Sequence, residues 1–141
     1  MKQILMFVMF AALICWILFA PIYKHVLLVR QAVLQQEVDY LLEIGASGAR
    51  GYIGADMIEE SRARFSRRGF RAASLAYAVS TTNGVSGTNP AMPVLRGNGI
   101  QLAISYPFEG LLRIDRLIGI AVPDESSRIS AVGLKMSEYV P

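Results

Sequence analysis

Side chains that do chemistry are scarce in this chain: its 141 residues hold one cysteine, Cys15, and one histidine, His25. A lone cysteine excludes an internal disulfide framework, a CxxC redox pair and a thiolate metal site. A lone histidine supplies only one of the three or four ligands that a metal needs, and beside Lys24 it reads as a satisfied ring at headgroup level. Any Ser-His-Asp or Cys-His set would have to recruit His25 itself, and no P-loop or dinucleotide fingerprint is present. Charge is modest too, with 14 Lys and Arg against 11 Asp and Glu for a net +3. The expectation is a protein that is not an enzyme and carries no catalytic residue, cofactor or metal.

Charged and amide side chains are also missing between Ile4 and Tyr23, the run ILMFVMFAALICWILFAPIY. At about 1.5 Å of rise per residue, some twenty helical residues cover the roughly 30 Å of a bilayer's hydrocarbon core. Only a helix satisfies its own backbone there within one segment, so residues 1–23 are expected to span a membrane. A cleaved secretion signal is the competing reading. It ranks second, because the run exceeds the usual apolar stretch of about 7–15 residues and no A-x-A-like site precedes KHVLLVR. The same run inflates the hydrophobic fraction of 53% and the mean hydropathy of +0.40, so neither describes the remainder.

Beyond Pro21 the pattern stays helical. Ile22, Val26, Val29, Val33, Leu41 and Ile44 recur at steps of three and four or their sums, opposite a polar stripe of Lys24, Gln31, Gln35 and Asp39. One helix is therefore expected from the membrane to about Glu43, roughly 60 Å in all, with Gly45, Ala46, Ser47 and Gly48 ending it. Residues 24–44 form an amphipathic stem and 45–141 a small α+β head. The stem is too long for so small a head to cover, which leaves part of its apolar row for partners.

Within the head, a helix is expected from Ala55 or Asp56 to Arg68, with acids first and arginines last as the helix dipole favours. Residues 70–80 suit a strand with Leu75, Tyr77 and Val79 on one side, although its alanines leave helix open. Residues 81–98 are loop by composition. Gly99 to Tyr106 is the clearest strand, alternating Ile100, Leu102, Ile104 and Tyr106 with Gln101, Ala103 and Ser105. Residues 108–120 fit strand or helix. A last strand, 128–140, sets Val132, Leu134, Met136 and Val140 on one face, completing a small antiparallel sheet with one face buried.

Arg62, Arg64, Arg67, Arg68 and Arg71 are the densest charge on the chain. Three uses compete: a solvated flank balanced by Asp56, Glu59 and Glu60, contact of Arg64, Arg67 and Arg68 with a polar partner or lipid headgroups, and nucleic-acid binding. The first leads, and nucleic acid is not expected, since no aromatic platform interleaves the arginines. Glu109 with Asp115, and Asp124-Glu125, match no calcium loop and read as surface solvation, the latter in a turn Pro123-Asp124-Glu125-Ser126.

An N-terminal apolar helix, a proline at position 21 in Phe19-Ala20-Pro21-Ile22-Tyr23, an amphipathic stem and a small α+β head together resemble the type IV pilin superfamily. The strand running into Tyr106-Pro107-Phe108 and the final strand with Glu138 are similar to the TadE-like minor pilins of tight-adherence systems. Two features depart from the family: no charged leader ending in glycine precedes the run, and Leu5 stands where the family carries its assembly glutamate, counting from Met1. What the resemblance implies is a divergent or minor structural subunit of a pilus-like filament. It would assemble with copies of itself or related subunits through Pro21, Val26, Val29, Val33 and Leu41, its head outside the cell. Counting positive charges around the span slightly favours the opposite orientation. The alternative is a single-pass accessory subunit of a secretion or pilus assembly machine.

Overall fold

The computed structural model describes residues 1–108 and 127–141. Among the described residues, two α-helices and three strands follow in order: α1 (Lys2–Gly45), α2 (Ala55–Arg67), β1 (Ala76–Thr81), β2 (Gly99–Pro107) and β3 (Arg128–Met136). The ambiguous stretch beyond Phe108, with Glu109, Asp115 and the Asp124-Glu125 turn, lies outside the described residues. The chain divides into two compact units, Met1–Arg30 and Gln31–Pro141. The division falls inside α1, so residues 31–44 of the stem segment belong to the same unit as the head.

The first unit is helix throughout from Lys2. It is long and apolar enough to cross a membrane, and its large apolar side chains from Ile4 to Phe19 are exposed. Pro21 sits inside α1. A proline there removes one backbone donor, which a membrane helix tolerates.

The second unit is an α+β fold built on a three-stranded antiparallel sheet in the order β1-β2-β3. Register decides which side chains face inward, because successive residues of a strand point to opposite faces. Tyr77 lies opposite Ile104 and Val79 opposite Leu102, while Leu102 and Ile104 in turn face Gly133 and Ala131 across β2 and β3. Ile100, Leu102, Ile104 and Tyr106 are fully buried, as the alternation in β2 predicts. Buried with them are Leu34, Val38, Leu41 and Leu42 of α1, Met57 and Phe65 of α2, and Ile53 between the helices. Phe65, Phe70 and Tyr106 stack edge to face in series, at centroid distances of 5.2 and 4.9 Å, a geometry that aromatic quadrupoles favour.

Two expectations are corrected. In β3 the buried residues are Ile129 and Ala131, whereas Val132, Leu134 and Met136 are exposed, with Leu134 at 60%. The reason is Gly133: a Cβ placed there would come within 2.7 Å of Leu42 Cδ1 and 2.8 Å of Val38 Cγ1. The helix approaches so closely that only small residues fit beneath it, and the bulky set of β3 is turned out. The strand also stops at Met136. Ser137 turns away, its N–H donating to Asn98 O at 2.8 Å and its hydroxyl to Val94 O at 2.6 Å, so Val140 lies beyond the sheet and is exposed.

Residues 70–80 divide into a 3-10 turn at Ala72–Ser74 followed by β1, with Leu75 buried between them. The 81–98 loop is tied down along its length. Ile53 N–H donates to Gly87 O at 2.8 Å, Val94 N–H to Gly51 O at 2.7 Å, and Arg96 N–H to Tyr139 O at 2.9 Å. Gly51 carries φ of +71°, and a Cβ there would meet Tyr139 at 2.8 Å, so both its backbone angle and its neighbour require glycine. Glu138 N–H reaches Ala46 O at 2.8 Å, which satisfies a carbonyl just past the end of α1.

Candidate assembly surfaces

Apolar residues that a subunit does not use for its own core are what an assembly contact is made from. On α1, Ile22, Val26 and Val29 share one face and are exposed, Leu28 is exposed on another side, and Val33 is half-buried. Of the residues that the sequence assigns to a helix bundle, Val26 and Val29 are therefore accessible. Leu41 is not. Only 1% of it is exposed, because it packs in the core of its own unit, in a series of Leu34, Val38, Leu41 and Leu42 that steps by three and four.

The outer face of the sheet is a second such surface, and the sequence reading places it inside. Ala78, Ala103 and Val132 lie in register across the three strands, with Leu134 opposite Gln101 and Met136 opposite Gly99. Val132, Leu134 and Met136 are exposed there, and Arg128 stands at the end of the same face, its Nε donating to Ser105 Oγ at 3.0 Å. The signal that finds it is the pair Ala131 and Gly133: small residues alternating with bulky ones mark a close helix contact as readily as they mark solvent.

The arginines do not act as one patch. Arg64 donates from Nε and Nη2 to Glu37 Oε1, at 2.9 and 2.6 Å. Its guanidinium carbon lies 4.9 Å from the centre of the Tyr40 ring, and Glu60 Oε2 is 3.8 Å from Nη1. The hydrogen bond to Glu37, outweighing burial, raises the Arg64 pKa. Arg64 thus joins α2 to the 31–45 stretch of α1, and Glu37, its side chain 5% exposed, needs that partner to be buried while ionised. Nothing in the sequence spacing pairs residues 27 positions apart.

Arg62 is likewise engaged within the fold. It donates to Ala72 O at 2.7 Å and to Leu75 O at 3.3 Å, and lies 4.9 Å over the Tyr77 ring. Tyr77 Oη and Ser61 Oγ are 2.9 Å apart. Burial pushes the Tyr77 hydroxyl above its ordinary value, against the Ser61 hydrogen bond and the Arg62 charge, which lower it. Arg67 and Arg68 stay exposed at the end of α2. They are what remains of the proposed polar contact.

Among the described residues no group of three His, Cys, Asp or Glu is placed to hold a metal ion. Cys15 and His25 are exposed on α1, and Glu37, the one buried carboxylate among the described residues, is occupied by Arg64. Compared with known proteins, the chain matches no family model, no curated protein and no solved structure.

Proposed function

We propose that this chain is a structural subunit of a pilus-like filament, held in the membrane by α1 and displaying residues 31–141 outside the cell. The observation that carries the reading is the apolar row that continues past Pro21. α1 runs on for more than twenty residues beyond Pro21, more than a bilayer span needs, and Val26 and Val29 remain exposed there. In a filament, neighbouring helices would cover that row, and the outer sheet face offers a second apolar contact between heads. Copies of the chain or related subunits, and membrane lipid before assembly, are the partners this implies.

Replacing Val29 by Asp tests it. Cells expressing the variant are sheared, and released filaments are separated from membranes by centrifugation. The variant chain is expected in membranes at wild-type level and absent from filaments, while wild type is found in both. Normal incorporation of Val29→Asp would sink the helix-bundle reading.

A second reading, a single-pass accessory subunit of a secretion or pilus assembly machine, is favoured by the burial of Leu41. Its loss to the core leaves the accessible row ending near Val33, which suits a short contact with one partner helix. Recovery of the wild-type chain in membranes alone, with none in sheared material, would select this alternative.

A further inference from the structure

The sequence contains Asn-Gly twice, at Asn83-Gly84 and Asn98-Gly99, and the fold treats the two pairs in opposite ways. Asn-Gly is the dipeptide most open to intramolecular attack on an amide, because glycine puts no side chain in the way of its own nitrogen. At the first pair both residues are exposed, and nothing lies within 4 Å of the space beside Gly84 Cα. Val85 N–H donates to Asn83 Oδ1 at 3.2 Å. That bond closes an Asx turn around Gly84, and it polarises the Asn83 amide carbonyl, stabilising negative charge on Oδ1 as a backbone donor does in an oxyanion hole. Among the described residues no acceptor takes the Gly84 hydrogen.

The second pair is closed at each atom the reaction uses. Gly99 is buried, and its N–H donates to Thr82 Oγ1 at 2.8 Å while its carbonyl accepts from Thr82 N–H at 3.0 Å. The Asn98 side chain points elsewhere, its Nδ2 donating to Leu95 O at 3.3 Å, and its backbone carbonyl is held by Ser137 N–H at 2.8 Å.

We propose that Asn83 is a site of spontaneous, irreversible deamidation that the fold exposes, and that Thr82 and Ser137 protect Asn98 from the same reaction. The Gly84 nitrogen attacks Asn83 Cγ and a C–N bond forms. Its proton passes to solvent base, and the side-chain nitrogen leaves as ammonia with a proton from water. The resulting five-membered succinimide is opened by water at either carbonyl, giving aspartate or isoaspartate. One water is consumed and one ammonia released, with no oxidation or reduction. The loop thereby gains a negative charge and, in the isoaspartate product, a longer backbone between Thr82 and the Gly87 carbonyl that holds Ile53.

The test uses the full chain in detergent micelles at mildly alkaline pH, beside a sample in concentrated urea. Cleavage after Arg71 and Arg96 separates Asn83 from Asn98, so mass spectrometry reads amide-to-acid conversion at each. The folded protein is expected to convert at Asn83 about tenfold faster than at Asn98, the scale that one hydrogen bond on the attacking nitrogen supports, and urea should erase the difference. Thr82→Val should raise conversion at Asn98 in the folded protein. Equal rates in the folded chain, faster conversion at Asn98, no conversion at Asn83 while the urea sample converts, or a difference that persists in urea would each overturn the proposal. An unchanged Asn98 rate in folded Thr82→Val would overturn the protective role of Thr82.

Discussion

Glu37 and Arg64 show how a residue of the right type for a surface contact is spent inside the molecule. A buried carboxylate costs several kcal/mol unless paired, and Arg64 supplies two donors to one oxygen. Removing only one partner leaves the other charge stranded. Arg64→Met is expected to cost about 3 kcal/mol, at the low end of the range for buried pairs because the arginine side chain keeps 28% exposure. The double variant Glu37→Leu/Arg64→Met should recover most of that loss, which denaturant titration of the full chain in micelles would measure. Tyr77 makes a separate statement at the same scale. Its folded-state pKa is raised, so the neutral phenol is favoured by folding. Its contribution to stability is complete below the unfolded value of about 10 and is lost as pH rises through the folded value. Phenolate absorbance should show a component ionising above the ordinary tyrosine value, and Tyr77→Phe should diminish it.

Among the elements, β3 is the one whose reading changed most. The sequence points to Val132, Leu134 and Met136 as one face of the strand, and the opposite face carries Ile129, Ala131 and Gly133. Summed hydrophobicity selects the first, and the fold buries the second, because the 38–42 stretch of α1 needs a flat, small surface on which to lie. Gly133→Val is accordingly expected to destabilise by about 1–3 kcal/mol through overpacking against Leu42 and Val38. Leu134→Ser, on the exposed face, should change stability by no more than about 0.5 kcal/mol. Thermal melts of the two variants side by side would separate the faces, and equal losses would refute the assignment. By contrast, β2 was legible residue by residue, since its inward set is bulky and its outward set small or polar, leaving only one choice of face.

For the whole molecule, the same logic divides apolar side chains into those that fold the chain and those that stay exposed. Leu34, Val38, Leu41 and Leu42 belong to the first class, Val26, Leu28, Val29, Val132, Leu134 and Met136 to the second. Leu102→Ala is expected to cost about 2–5 kcal/mol and to lower the amount of folded chain without altering what that chain associates with. Val29→Asp should do the reverse. Comparing the two by folded yield and by recovery in sheared filaments keeps a stability defect apart from an assembly defect, and a matching pattern for both would refute the division.

What the sequence determined by itself was everything set by local pattern. A long uncharged run makes a helix fit to cross a bilayer, three- and four-residue steps carry it onward to a glycine stop, acids before arginines place α2, and strict alternation places β2. Tertiary structure alone decided which of two plausible faces is buried. Leu41 was drawn from the shared row into the core, Arg64 was taken by a glutamate 27 residues away, the loop 81–98 was strapped to both the α1–α2 connection and the C-terminal segment, and β3 was turned with its bulky side outward. Periodicity fixes the angle between side chains on one element, but the choice of partner depends on how closely two elements approach, and that distance is set by small residues whose hydrophobicity gives no sign of it.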